Sequence, residues 1–194
     1  MSDTGEDGPL RLFIALELPE PTRRGLTERA TAELSGIEGI RLLAPEALHL
    51  TLCFLGATPA PELDPICAAC RQAIAGHPPV ELSLGRAVAL PRRGPRVVAM
   101  RIGGRGAVQL AELQGAVSAR MAAGGWYRPE SRAFLAHVTL ARVRPRSRID
   151  GQVVAMLPAM DEAPFVADTV TLFRSDTRPD SARYKPLARL SLNG

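Results

Sequence analysis

Short apolar runs closed by proline or glycine alternate along this chain with longer segments of helical periodicity. The first kind reads as strand, the second as helix. Arg11–Leu18 (RLFIALEL) predicts a buried strand closed by Pro19, and Pro21–Leu34 a helix ending near Gly36. Leu48–Leu55 predicts a second strand, stopped by Gly56 and Pro59, and Pro61–Ala75 a second helix with proline in its first turn. Val80–Leu90 and Arg96–Ile102 flank an Arg/Pro/Gly turn and read as a hairpin. Ala107–Ala122 predicts a third helix, terminated by Gly124-Gly125, and Phe134–Val143 a further strand. Asp150–Met160 carries only a weak helical pattern, while Phe165–Ser175 and Lys185–Leu192 read as the last strands.

Two of these strands repeat one phrase: His49-Leu50-Thr51-Leu52 and His137-Val138-Thr139-Leu140. Alternate side chains of a strand share a face. Each histidine therefore points with its threonine to one side, and Leu50, Leu52, Val138 and Leu140 point to the other. The duplication is a weak internal repeat of one supersecondary unit rather than a solenoid. Two related lobes facing across a groove would bring both phrases together. No linker rich in Pro, Gly or Ser divides the chain, so residues 10–194 are expected to form a single domain behind a short disordered acidic tail, residues 1–9.

Composition narrows the class. A length of 194 residues with 46% hydrophobic content describes a globular protein, with room for one sizeable domain or two close-packed lobes. Net charge is +4, and Lys185 is the only lysine, so the positive charge is almost all arginine. Guanidinium groups offer a planar fork for phosphate and a flat face for bases. No apolar run approaches the ~20 residues of a membrane-spanning helix. The N-terminus lacks a signal peptide's basic start and apolar core, which predicts a cytoplasmic protein with no membrane partner. Cys53, Cys67 and Cys70 are an odd set and are expected to be reduced thiols.

One His-x-Thr alone is most simply a core histidine with its hydrogen bond satisfied. Two copies on strands, using two of the three histidines, point instead to chemistry. A pair of imidazoles titrating near neutrality can act as acid and base at opposite ends of an in-line displacement. Two threonine hydroxyls can hold the non-bridging oxygens of a phosphate. Such a reaction depends on positioning and charge stabilisation, and no carboxylate cluster flanks either phrase, so neither metal nor cofactor is expected. The residues themselves require one acid and one base without saying which histidine is which.

The chain resembles the 2H phosphoesterase superfamily, whose members carry paired HxTx motifs. Within it the resemblance is to the RNA 2′,3′-cyclic phosphodiesterases, also called 2′-5′ RNA ligases. It rests on RLFIALELP, on PEALHLTLCFLG at 45–56, on GPRVVAMRI, on ESRAFLAHVTLARV and on the closing TVTLFRSDT and YKPLARL, in order along nearly the whole chain. Leu42 stands where the family often has tryptophan, and Ala136 where it usually has proline before the second histidine. The resemblance implies a bilobal α+β fold, with two antiparallel β-sheets lining a central cleft and helices outside. It also implies hydrolysis of RNA or nucleotide 2′,3′-cyclic phosphates to 2′-phosphomonoesters. His49 would then be the proton donor to the leaving 3′ oxygen, His137 the proton acceptor, and Thr51 and Thr139 the phosphate clamp. Arg142 would lie near the nucleotide base, although straight alternation does not place it on the threonine's face. Phe13 is a weaker stacking candidate, since most strand phenylalanines are core. A monomer is the default expectation, because the groove needs only the two lobes of one chain.

Other signals carry less. Cys67-Ala-Ala-Cys70 falls in a predicted helix without a second ligand pair, and reads as packing. His77 precedes Pro78-Pro79 and reads as a loop residue, and the arginines of the hairpin turn, Arg92, Arg93 and Arg96, as solvated. Trp126-Tyr127 would cap either the cleft or the core. No glycine-rich phosphate loop is present, so any ligation would be independent of ATP. The rivals to hydrolysis are that ligation, another 2H cyclic phosphodiesterase activity, or an RNA-binding module without turnover. Two matched acid–base groups favour an enzyme.

Overall fold

The computed structural model describes residues 8–155, 157, 163–178 and 181–193. The expected disordered tail lies outside these residues for positions 1–7. The strands are β1 (Leu10–Glu17), β2 (Ile40–Leu42), β3 (His49–Thr58), β4 (Val80–Leu90), β5 (Val97–Gly103), β6 (His137–Val143), β7 (Phe165–Ala167), β8 (Thr169–Arg178) and β9 (Ser181–Ser191). The helices are α1 (Glu20–Leu34), α2 (Leu63–Ile74), α3 (Ala107–Ala123) and a short α4 (Gly151–Ala155). The predicted elements are present with shifted ends. β3 continues past Gly56, whose φ of 75° absorbs an irregularity in the ladder to β1. β2 was not legible, since three residues are too few to show an alternation.

Strand order is β7-β4-β5-β6-β3-β1-β8-β9, with β2 also on β6, and every pair is antiparallel. The two expected sheets are the two halves of this path. One half holds β3, β1, β8 and β9; the other holds β7, β4, β5 and β6. They meet where β3 pairs with β6, at Leu50 and Val138. These are the central residues of the two His-x-Thr phrases, so the repeated motif itself forms the seam.

Each motif strand is backed by a helix. α1 packs behind β2 and β6, and α3 behind β3 beside α2. Their inward faces follow helical spacing: Leu26, Ala30 and Leu34 on α1, and Leu110, Leu113, Val117 and Met121 on α3. Against them lie Leu50, Leu52, Val138 and Leu140, all buried, as alternation predicts. Burying aliphatic side chains of this size contributes roughly 1.5–3 kcal/mol each before entropy is counted. The opposite face of both strands is left for the cleft.

The alternation breaks at the same place in both motifs. Ile14 and Ala15 of β1 face Cys53 and Thr51, leaving Leu52 as an extra residue on β3. Val98 and Ala99 of β5 face Ala141 and Thr139, leaving Leu140 extra on β6. A bulge shifts the phase of every later side chain by one. Burial along His49–Phe54 and along His137–Arg142 runs in the same order: half-buried, buried, half-buried, buried, buried, exposed. The carbonyls of both bulged leucines find donors outside the disturbed ladder. Gln114 Nε2 of α3 donates to Leu52 O at 3.2 Å, and Leu43 N donates to Leu140 O at 2.8 Å.

Candidate active site

His49, Thr51, His137 and Thr139 line one cleft of about 870 Å³. Antiparallel continuation of the Leu50–Val138 register sets His49 opposite Thr139 and Thr51 opposite His137. The four side chains thus form a crossed set around the seam.

Both imidazoles are held alike. His49 Nδ1 lies 2.8 Å from Ala47 O, and His137 Nδ1 lies 2.7 Å from Leu135 O. A carbonyl only accepts, so Nδ1 carries the proton in each ring and donates it. Nε2 is the nitrogen left for the cleft, as an acceptor when the ring is neutral and a donor when it is charged.

Their surroundings differ. His49 sits against an aromatic wall, with ring centroids 4.8 Å from Phe13, 5.1 Å from Tyr184 and 5.9 Å from Phe173. Burial, opposed in part by the Ala47 hydrogen bond and helped by the positive charge of Arg142, pushes the His49 pKa down from 6.5 to about 4. Phe13 is only 2% exposed and stacks on Phe173 at 5.2 Å, so it packs beneath His49 rather than standing free for a base.

Arg142 reaches the cleft because of the bulge at Leu140. Its Nη2 donates to the Tyr184 hydroxyl at 3.2 Å, and Tyr184 in turn meets His49 edge-on. Arg41 is the cross-strand partner of Arg142 and also lines the cleft, with Arg11 and Arg144. Among the described residues no carboxylate lines it. Like charges gathered on one wall destabilise each other unless an anion lies between them.

Several of these residues escaped the sequence reading. Arg41 and Arg144 lay in no quoted motif, Arg11 entered only as the first residue of the opening strand, and Tyr184 lies one residue before the strand read at Lys185–Leu192. Phe54, 58% exposed at the cleft edge, would follow Leu50 and Leu52 onto the core face if the strand alternated evenly. Superposing HLTLCF on HVTLAR would have set Phe54 beside Arg142 and revealed it.

The remaining signals resolve simply. Cys53 and Cys70 are buried free thiols, each pushed up to about 12 by burial, and Cys67 is half-buried on α2. Trp126 Nε1 donates to Glu62 Oε2 at 2.8 Å and packs on the core, while Tyr127 lines a second cavity beside the cleft. Arg92 and Arg93 are exposed at the hairpin tip. Among the described residues no helix is long and apolar enough to cross a membrane, and no group of three or more His, Cys, Asp or Glu side chains is placed to hold a metal.

A curled antiparallel sheet with duplicated His-x-Thr strands facing one cleft is the architecture of a two-histidine phosphoesterase. The 2′-5′ RNA ligase superfamily model matches residues 26–179, and the chain belongs to that superfamily. It is 31% identical to an RNA 2′,3′-cyclic phosphodiesterase of Thermus thermophilus, over 95% of this chain and 91% of the relative. It is 29% identical to one of Escherichia coli, over 95% and 97%. Among solved structures, a Thermus thermophilus protein superposes with a TM-score of 0.79 at 26% identity, covering 95% of this chain and 99% of that one. Escherichia coli LigT complexed with 3′-AMP superposes with a TM-score of 0.77 at 28% identity, covering 96% and 99%.

Proposed function

We propose that this protein is a phosphodiesterase that opens 2′,3′-cyclic phosphates at RNA ends or on nucleotides, leaving a 2′-phosphomonoester. The observation that carries this is the matched pair of imidazoles. Each is locked through Nδ1 to the carbonyl two residues before it, and each keeps Nε2 for the cleft. In-line opening needs a base for water on one side of phosphorus and an acid for the leaving oxygen on the other. His137 Nε2 takes the proton from water, and His49 Nε2–H delivers one to O3′ as the P–O3′ bond breaks. Thr51 and Thr139 donate to the non-bridging oxygens, and Arg142, held by Tyr184, supports the nucleotide.

The low proton affinity of His49 bears on its role as donor. Burial and Arg142 both disfavour its imidazolium. A phosphodiester anion beside both groups opposes the charge of Arg142 and favours that imidazolium. His49 is therefore charged chiefly in the substrate complex, and its proton is held where the leaving oxygen needs it.

The two imidazoles and two hydroxyls supply acid, base and donors, so turnover is expected without metal or cofactor. The cleft is built from one chain, which suits a monomer, and three free thiols suit the reducing cytoplasm. The test is to give the purified protein a 2′,3′-cyclic nucleotide in chelator and identify the product. A 2′-phosphate is expected. A 3′-phosphate would exchange the roles of His49 and His137, and no turnover on cyclic nucleotides or cyclic-ended RNA would refute the hydrolase.

A further inference from the structure

The cleft extends well past its histidines. It encloses about 870 Å³, and His49, Thr51, His137 and Thr139 account for one part of it. Beyond them one face of the β1, β8 and β9 strands continues. Ala15 of β1 lies opposite Thr51, and alternation puts Phe13 and then Arg11 on the same face. Arg11 therefore stands two side-chain steps past the level of Thr51, about 13 Å along the strand. Continuing the Leu12–Arg174 register by one residue sets Arg11 opposite Ser175, and Ser175 pairs with Tyr184. Arg11, Ser175 and Tyr184 thus form one row across three strands.

The opposite wall brings more positive charge to that row. Arg142 donates to the Tyr184 hydroxyl at 3.2 Å, and Arg144, two residues later, lines the same cavity. The backbone of Arg144 is fixed there by its N–H, which donates to Gly39 O at 2.8 Å. Arg11 and Arg144 are exposed, and neither has an ion-pair partner among the described residues. Elsewhere several arginines are paired with carboxylates, as in Arg24–Glu20, Arg132–Glu130 and Arg189–Glu17. Arg174 and Asp176, 2.8 Å apart, pair on the other face of β8. The cleft arginines meet no carboxylate among the described lining residues, and cations gathered in this way favour a bound anion.

We infer that Arg11, Ser175 and Arg144 form a subsite for a second phosphate, the one carried on the 5′ oxygen of the nucleoside whose cyclic phosphate reacts. The inference rests on the proposed reaction, in which the nucleoside lies on the His49 and Arg142 side. On that side of the reacting phosphorus stand the ribose and its base. The base is uncharged, so the 5′ substituent is the anionic group that an RNA end can offer there. Its phosphate has oxygens for two guanidinium forks and for the Ser175 hydroxyl. The cleft then selects chain ends, or nucleotides bearing a 5′-phosphate, over bare nucleoside 2′,3′-cyclic phosphates. The subsite touches no reacting atom, so its contribution falls on KM and not on kcat.

The experiment compares adenosine 2′,3′-cyclic phosphate with the same compound carrying a 5′-phosphate, a 5′-O-methyl group, or a second adenosine through a 5′ phosphodiester. The 5′-phosphate is expected to lower KM at least about tenfold with kcat little changed, the scale of one charge-assisted hydrogen bond. The methyl group gives no gain. A similar gain in the dinucleotide assigns the subsite to the RNA chain, and a gain confined to the monoester assigns it to free 5′-phosphates. Arg11→Gln or Arg144→Gln should reduce the gain about tenfold, with the unphosphorylated compound hydrolysed within about twofold of the unaltered protein. Calorimetric binding of adenosine 2′,5′-bisphosphate against adenosine 2′-phosphate needs no turnover, and the bisphosphate should bind at least about tenfold tighter. If the 5′-phosphate brings no advantage in either measurement, or neither variant reduces it, the subsite is overturned while the hydrolase stands. If no cyclic substrate is hydrolysed and the bisphosphate keeps its advantage, the proposed reaction falls and the second phosphate site survives.

Discussion

Phe54 and Arg142 stand at the same step of two strands built alike. Each lies two residues beyond a bulged leucine, Leu52 or Leu140, and each is turned by that bulge onto the face of its histidine and threonine. The repeat is therefore deeper than a shared phrase. It includes the irregularity that sets the fifth and sixth residues, and the hydrogen bond that fixes each imidazole. Evenly pleated strands would have kept His49, Thr51, His137 and Thr139 in place while sending Phe54 and Arg142 to the core face.

His49→Gln and His137→Gln should each lower kcat by about 10²–10⁴-fold, the usual contribution of a positioned acid or base. Both residues are half-buried and neither has an ionic partner among the described residues, so the thermal unfolding midpoint should change little. Steady-state kinetics on a cyclic nucleotide, beside a melting curve, checks this; near-normal turnover in either variant would sink the two-histidine mechanism.

Thr51→Ala and Thr139→Ala should cost less than loss of a histidine at the harsher end of that range, about 10²–10³-fold in kcat, as for removal of one oxyanion donor. Because each threonine lies opposite the other strand's histidine, the two effects should be similar. A loss confined to KM would mean that the hydroxyls bind the ground state only.

NMR titration should find His49 near pH 4, and Arg142→Gln should raise its pKa while leaving it below 6.5, since burial is the larger cause. The folded value lies below the unfolded one, so the unfolded chain binds the extra proton. Stability attributable to His49 is complete above about pH 6.5 and is lost as pH falls towards about 4. Denaturant melts across that window should show a pH slope that diminishes in His49→Gln.

Gln114→Leu should destabilise the fold by about 1–3 kcal/mol, because it leaves the Leu52 carbonyl without its donor. Chemical denaturation measures the loss. A value near zero would show that the bulge on β3 is held by its ladder alone.

Much of the fold could be read along the chain because its elements obey local rules. The strands at 11–18 and 80–90 and the helix at 107–122 bury what their periodicities say they bury, and closing prolines and glycines mark their ends. Ile40–Leu42 was invisible because its only strand character is its pairing with Val143, Arg142 and Ala141. The second cavity was invisible for a similar reason: residues 127–135 form no regular element and line a space only because β3 and α3 lie opposite.

The same division holds at the site. Alternation within each strand, a property of neighbouring residues, was enough to put His49 with Thr51 and His137 with Thr139. Three things came only with the tertiary structure: the Leu50–Val138 seam that joins the pairs, the bulges that recruit Phe54 and Arg142, and the aromatic wall from β1, β8 and β9 that lowers the proton affinity of His49. Strand register and desolvation are set by segments distant in the chain, and no local pattern encodes where those segments will lie.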